Sequence, residues 1–147
     1  MYLLDTDTLI YSLKGDPVVI ANFRKFSSVP KAISVITYGE LVFGAHRSQR
    51  VTENLAKVYR LKEIFPLVDV SPAIMDVFGV LKAQLYDKGT PVDDFDLMIG
   101  ASALTTGYCV VTNNERHYSK IPGLTVVNWT KEDPATNSYL GSDKPTT

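Results

Sequence analysis

The sequence has one cysteine, Cys109, no apolar run long enough to cross a membrane, and no basic segment ahead of an apolar stretch at its start. A lone cysteine excludes an internal disulfide, and the short apolar runs exclude a transmembrane helix. Asp5 and Asp7 interrupt the early apolar stretch, so we expect no signal peptide. We therefore expect a cytoplasmic protein without a membrane partner, in which Cys109 is packed and unreactive.

Net charge is also nearly absent, at -1 over 147 residues, which argues neither for nor against a nucleic-acid partner. The charges are nevertheless unevenly distributed. The segment 47–62 has five basic residues against Glu53 alone, and the segment 63–100 has seven acidic residues against two lysines. Two interpretations stay open: a basic rim beside an acidic pocket, suited to a polyanion near bound metal, or two solvated helix faces. The basic residues are Arg47, Arg50, Lys57, Arg60 and Lys62.

Short apolar runs alternate with amphipathic segments along the chain. Apolar runs bounded by turn residues are typical of buried strands, and the segments between them have the helical period. Strands joined by helices form a mainly parallel sheet covered on both faces, so we predict one α/β domain over residues 1–130. The polar segment 131–147 is predicted to be a mobile tail. The predicted strands are 2–4, 32–35, 67–70, 108–112 and 124–127.

Acidic residues follow the first two predicted strands. Asp5 and Asp7 come directly after the first strand, at the sheet edge where open α/β sheets bind ligands. Two carboxylates there repel each other unless a cation lies between them, although capping of the next helix is an alternative explanation. Glu40 follows the second strand, and its position three residues after Thr37 also predicts a capping box.

Asp96 carries a different signal. Ile99, Gly100 and Ala103 lie three, four and seven residues after it and share its face of a predicted helix. That face is small and apolar, suited to lying close against a sheet, so a carboxylate on it is unfavourable unless it is paired or binds a cation. Asn114 follows the fourth predicted strand, where either a turn or a polar ligand explains it.

Four motifs in order resemble the PIN-domain ribonucleases, most of all the VapC-type toxins of bacterial toxin–antitoxin pairs. The resemblance extends over residues 1 to about 130 and implies a three-layer α/β/α sandwich with a mainly parallel central sheet. The motifs are Tyr2-Leu-Leu-Asp-Thr, Thr37-x-x-Glu40-Leu, Asp96-x-x-Ile-x-Ala-x-Ala and Val111-Thr112-x-Asn114, followed by Ile121-Pro-Gly-Leu and Trp129.

The resemblance implies an endoribonuclease toxin that uses Mg²⁺ or Mn²⁺ to activate a water for phosphodiester hydrolysis. Asp5 and Asp96 would be the core metal ligands, and Glu40 a third acid that binds metal or orients the water. Asn114 lies at or near a fourth catalytic position, and its amide leaves open whether one metal or two are bound. The implied partners are RNA, a small DNA-binding antitoxin protein and a second copy of the chain.

Two other functions are compatible with the same residues. Residues 3–9, Leu-Leu-Asp-Thr-Asp-Thr-Leu, also resemble the nucleophile motif of haloacid-dehalogenase-type phosphatases, in which Asp5 would attack the phosphate. The other is a PIN-like domain that has lost catalysis and serves as an RNA-binding or regulatory domain. This alternative stays open because Asn114 is not acidic. None of the nuclease chemistry needs a histidine, and we expect His117 at the surface near the mouth of the site.

Two segments are more apolar than one buried face requires. Residues 41–43 are Leu-Val-Phe, and the apolar residues of 55–65 occupy more than one helical stripe. A sheet covers only one stripe of a helix, and uncovered apolar surface usually marks a partner site. We therefore predict a homodimer.

Overall fold

The computed structural model describes residues 1–132 and the backbone of residues 139–140. The strands are β1 (Tyr2–Leu4), β2 (Lys31–Ser34), β3 (Leu67–Val68), β4 (Cys109–Val111), β5 (Thr125–Val127) and β6 (Tyr139–Leu140). The helices are α1 (Thr6–Leu13), α2 (Pro17–Lys25), α3 (Val35–His46), α4 (Val51–Ile64), α5 (Pro72–Asp87), α6 (Asp94–Thr106) and α7 (Glu115–Tyr118). In this part of the chain, no helix combines the length and the apolar character needed to cross a membrane.

The strands form one sheet in the order β3-β2-β1-β4-β5-β6. The first five are parallel, and β6 pairs antiparallel with β5, so the predicted mainly parallel sheet is confirmed. From β1 the chain builds the sheet first towards β3 and then, after crossing back, towards β5. Ligand crevices open outside the carboxyl ends of the strands where the order reverses in this way. Asp5 follows β1 and Thr112 follows β4 at this point.

Successive strand residues point to opposite faces of the sheet and fill two apolar cores. Leu3 and Val110 lie in the core beneath α5 and α6, whereas Leu4 and Val111 lie in the core beneath α3 and α4. All four side chains are fully buried. Helices therefore cover both faces of the sheet, which confirms the three-layer α/β/α sandwich.

Trp129 closes the second of these cores. Its ring is fully buried, stacks on Phe26 with ring centroids 5.5 Å apart, and meets Phe23 edge-on at 4.9 Å. The folded domain thus includes residue 129, and strand β6 lies within the segment predicted to be a tail. The other residues of that predicted tail, 133–138 and 141–147, lie outside the described residues.

The start of α3 differs from the predicted one. The helix begins at Val35, because the Ser34 Oγ accepts a hydrogen bond of 3.1 Å from the Ile36 N–H and caps it. Thr37 therefore lies inside the helix, where its buried hydroxyl has no hydrogen-bond partner among the described residues. The predicted capping box of Thr37 and Glu40 is wrong, and the Glu40 side chain is available for a contact outside its own helix.

The predicted excess of apolar surface is present, but it is smaller than predicted. The second core buries Leu41 and Val58, and the apolar side chains of α4 that pack against it follow a single helical stripe. The partly buried residues of this helix and the turn after it are Leu55, Leu61 and Phe65. Only a smaller set from the two segments is exposed: Phe43, Tyr59 and Ile64. Any partner surface here is therefore narrower than the sequence indicates.

Candidate active site

Asp5 joins β1 to α1 at the reversal point of the sheet. Its N–H donates to the Val111 carbonyl oxygen at 2.9 Å, which extends the pairing of β1 with β4. Its carboxylate accepts from the Thr6 N–H at 2.9 Å through Oδ1 and from the Thr112 hydroxyl at 2.8 Å through Oδ2. The side chain is 5% exposed, so Asp5 is both the N-cap of α1 and a buried acid facing the crevice.

Thr6 connects Asp5 to Glu40. The Thr6 hydroxyl donates to Glu40 Oε1 at 2.9 Å, while the Thr6 N–H donates to Asp5. This contact brings the third helix to the carboxyl end of β1 without any role for Glu40 in capping. Thr6 therefore contacts two of the predicted site acids at once, Asp5 through its N–H and Glu40 through its hydroxyl.

Asp96 lies in the first turn of α6, and its side chain is 19% exposed. Its Oδ1 accepts from the Tyr118 hydroxyl at 3.4 Å, and its Oδ2 lies 3.3 Å from both Asn114 Nδ2 and His117 Nδ1. Asn114 also donates its N–H to the Thr112 hydroxyl oxygen at 2.9 Å. The residues after β4 therefore connect Asp96 to Asp5 through hydrogen bonds.

Asp96 does not cap its own helix. The N-cap of α6 is Asp93, whose Oδ1 accepts from the Phe95 N–H at 3.0 Å. The small apolar face predicted after Asp96 is buried: Ile99 and Ala103 lie in the core with strand residues, and Gly100 lies against the segment before β5. A Cβ added at Gly100 would stand 2.6 Å from Ile121 Cδ1. That close approach holds α6 beside the residues that follow α7.

The electrostatics of Asp5 set it apart from an ordinary surface acid. Its pKa is raised to about 7, first by burial and then by the negative charge of Asp7, with a smaller contribution from Asp96. Hydrogen bonds from Thr112 and Thr6 act in the opposite direction and are outweighed. In the described part of the chain, no lysine or arginine pairs with Asp5. An ionised Asp5 is therefore short of a positive charge.

The pKa values of the neighbouring titratable groups are raised as well. Burial is the main cause of the raised pKa values of Asp7 and Glu40, and the charge of Asp96 adds to the shift at Glu40. The pKa of the buried Tyr118 hydroxyl is raised well above its usual value by burial, and the charges of Asp5 and Asp96 raise it further. These acids therefore share one negative field, which a divalent cation would neutralise.

The donor atoms fit a hard cation, because carboxylate oxygens are the preferred ligands of Mg²⁺ and suit Mn²⁺ as well. Within residues 1–132, no three acidic, histidine or cysteine side chains already stand together as a complete ligand set. Separation is expected for carboxylates that repel one another. Asp5, Glu40 and Asp96 are therefore the residues that could hold a metal.

Three polar residues of the site were not among the predicted ones: Thr6, Thr112 and Tyr118. His117 was expected only near the mouth, but its half-exposed ring contacts Asp96 directly. The sequence does indicate that His117 lies near Asn114, because residues three apart at the start of a short helix share a face. The helix begins right after β4, which brings that face to the site.

Asp7 has a different position from the other acids. Its Oδ2 accepts from the Asn113 N–H at 3.1 Å, and its Oδ1 accepts from the Thr8 hydroxyl at 3.2 Å. These bonds fasten the turn after β4 to the first turn of α1. Asp7 therefore holds the two strand ends together, and its charge raises the pKa of Asp5.

Of the seven acidic residues in segment 63–100 that could form the predicted acidic pocket, one lies at the site. Asp96 alone is partly buried, and the other six acids of the segment are exposed. The basic residues of segment 47–62 are exposed too, but Lys57 lines a groove between α1, α3 and α4 that reaches Glu40. A positive side chain therefore stands along one approach to the site.

Comparison with known proteins places this geometry in a family context. The PIN domain profile matches residues 2–124. The chain is 35% identical over 128 residues to the tRNA(fMet)-specific endonuclease VapC of Salmonella typhimurium, covering 87% of this chain and 97% of that protein. Its fold is similar to DNA-bound VapBC from Salmonella typhimurium (TM-score 0.81, 36% identity, coverage 87% and 97%). It is equally similar to VapBC2 from Rickettsia felis bound to a promoter DNA fragment (TM-score 0.81, 28% identity, coverage 87% and 98%).

Proposed function

This chain belongs to the PIN domain family, and from that membership we propose that it is a metal-dependent endoribonuclease, the toxin of a toxin–antitoxin pair. The family predicted from the sequence is thereby confirmed. Relatives are named as VapC endonucleases and ribonucleases, which supports RNA as the substrate class. The metal dependence and the role of each residue belong to the proposal.

One observation carries the mechanism: three acids from three separate elements lie around the reversal point of the sheet, and no lysine or arginine among the described residues pairs with the buried Asp5. Asp5 comes from the end of β1, Glu40 from α3 and Asp96 from α6. Burial raises the pKa values of Asp5 and Glu40, and the charge of Asp96 disfavours their ionisation further, so this arrangement does not serve stability. Such clusters are typical of functional sites.

The chain's residues have distinct tasks in this proposal. A bound Mg²⁺ or Mn²⁺ would polarise a phosphoryl oxygen and supply a nucleophilic water. Asp5 and Asp96 would hold the cation through their carboxylates, and the side-chain amide of Asn114 contacts Asp96 while the cation is absent. Glu40 accepts the proton of the attacking water, because Thr6 occupies Oε1 and leaves Oε2 without a partner among the described residues.

A phosphatase that uses Asp5 as its nucleophile is less well supported. Both carboxylate oxygens of Asp5 accept hydrogen bonds, and the side chain is buried. An attacking oxygen must reach the phosphorus directly, and a side chain that is 5% exposed limits that access. The family match favours the nuclease over both the phosphatase and a non-catalytic domain, because the named relatives are enzymes that cleave RNA.

We expect the purified chain to cleave single-stranded RNA when Mg²⁺ or Mn²⁺ is present, and to stop when the metal is removed with EDTA. Cleavage is measured by gel electrophoresis of end-labelled RNA. The initiator tRNA belongs in the panel, because a relative is named for it. Restoring metal after chelation should restore cleavage, which separates metal loss from unfolding.

Three results would contradict this function. Cleavage that continues after chelation would remove the metal from the mechanism. Hydrolysis of an aryl phosphate, together with a covalent phosphate trapped on Asp5, would instead support the phosphatase. RNA that stays intact under all metal conditions would leave the non-catalytic alternative as the best account.

The proposal extends to two protein partners. The similar solved structures are VapBC complexes, which supports a small DNA-binding antitoxin as one of them. The groove between α1, α3 and α4 suits an antitoxin segment, since its floor is apolar and it ends at Glu40. A second copy of the chain would cover the exposed rings of Phe43 and Phe95, which line a depression beside Glu40.

Light scattering over a dilution series tests both partners. We expect a dimer mass for the chain alone and a larger particle after co-expression with the product of the adjacent antitoxin gene. Phe43→Asp should shift the chain to a monomer, because it places a charge in the apolar contact. Val80→Asp, at an exposed position on α5, is the matched control. A wild-type monomer at every concentration would remove the dimer.

A further inference from the structure

The contacts of Asn114 favour one tautomer of the imidazole beside Asp96. The Asn114 Nδ2 lies 3.3 Å from Asp96 Oδ2 and 2.9 Å from His117 Nδ1. Only the NH₂ group of an amide can face an ionised carboxylate, so its orientation follows from the Asp96 contact. In the neutral tautomer that carries its proton on Nε2, His117 Nδ1 presents a lone pair and accepts the second hydrogen of this amide.

That lone pair and a carboxylate oxygen converge on one point. The His117 Nδ1 and Asp96 Oδ2 atoms are 3.3 Å apart, and in this state no proton lies between them. Neighbouring ligands of an octahedral ion with bonds of about 2.1 Å are separated by about 3 Å. The two atoms thus have the spacing of adjacent metal ligands. The Asn114 amide nitrogen, which contacts both, lies where a cation bound by them would lie.

The identity of the two atoms affects which cation they prefer. Mg²⁺ is held by oxygen ligands and its own waters, whereas imidazole nitrogen suits transition ions. We propose that His117 is a metal ligand through Nδ1, and that this nitrogen gives the site a preference for Mn²⁺ over Mg²⁺. The inference rests on the proposed function, because the cation is the one that Asp5 and Asp96 would hold.

The histidine content of the chain allows a direct spectroscopic test. The sequence has two histidines, His117 and His46, and His46 is exposed at the end of α3. Mn²⁺ is paramagnetic, so electron spin-echo spectra of the full chain loaded with Mn²⁺ detect a bound imidazole nitrogen without any turnover. We expect the nitrogen modulation in the wild type and in His46→Gln, and its loss in His117→Gln.

Calorimetry of the same proteins measures the preference itself. We expect the ratio of Mn²⁺ to Mg²⁺ affinity to fall about tenfold in His117→Asp, because a carboxylate replaces the nitrogen. Mn²⁺ bound by the wild type without nitrogen modulation would overturn the role of His117 and leave the proposed nuclease site intact. If the wild type bound neither ion, which is the result expected of Asp96→Asn, the proposed function would be overturned as well.

Discussion

Asp96→Asn should lower the rate of RNA cleavage by on the order of a thousandfold, equivalent to about 4 kcal/mol of transition-state stabilisation. The substitution keeps the shape of the side chain and removes the charge that would hold the cation. It also keeps the fold, because Asp93 and not Asp96 caps α6. Cleavage of labelled RNA, Mn²⁺ affinity and thermal unfolding are measured together on the same preparation.

Asp94→Asn is the matched control for this experiment. Asp94 is two residues away on the same helix and pairs with Lys82 at 2.9 Å, and both side chains are about half exposed. An exposed pair of this kind contributes roughly 0–1 kcal/mol to stability, so the control should cleave RNA at nearly the wild-type rate. Full activity in Asp96→Asn, or equal losses in both variants, would remove Asp96 from the mechanism.

The sheet edge was predictable from the sequence because it depends on local patterns. Short apolar runs ending in Asp5 and in Asn114 are enough to indicate parallel strands and the side chains at their carboxyl ends. The inward face after Asp96 was readable from helical spacing for the same reason. These signals concern one element at a time, and the structure bears out the elements, while the roles of the residues stay predictions.

Contacts between elements were harder to predict. Both Ser34 and Thr37 are good N-cap residues, and the choice of Ser34 depends on where β2 ends in the sheet. The contact of Thr6 with Glu40 then follows from the helix start, which the sequence alone did not give. His117 was placed too far from the chemistry, because its spacing from Asn114 indicates a shared face of α7 but not that this face lies against Asp96.

The metal-free protein should lose stability as the pH rises from about 4 to about 8. In the unfolded chain Asp5 ionises near its ordinary pKa of 3.8, whereas in the folded protein burial, and then the charge of Asp7, raise that pKa to about 7. Between these two values the folded state holds the proton more tightly than the unfolded state. The free energy of unfolding therefore falls through this window, and the loss is complete above the folded pKa.

The size of the effect follows from the difference of about three pKa units, which corresponds to at most about 4 kcal/mol. Asp7 and Glu40 change stability in the same direction, because their pKa values are raised too. Asp5→Asn should therefore flatten the pH dependence without abolishing it, and should stabilise the metal-free protein above the folded pKa. Asparagine keeps the capping of α1, since it is as good an N-cap as aspartate.

Urea unfolding in EDTA at a series of pH values measures this dependence, with Asp69→Asn as the control at an exposed acid in the loop after β3. Mn²⁺ at about 100 times its dissociation constant should restore about 2.7 kcal/mol at the upper end of the range, because the cation stabilises the ionised carboxylates of the folded state. Asp5→Asn should gain less from Mn²⁺ than the control does. A wild-type stability that stays flat or rises with pH in EDTA would show that Asp5 is ionised without a partner, and the reason for a cation at this site would be lost.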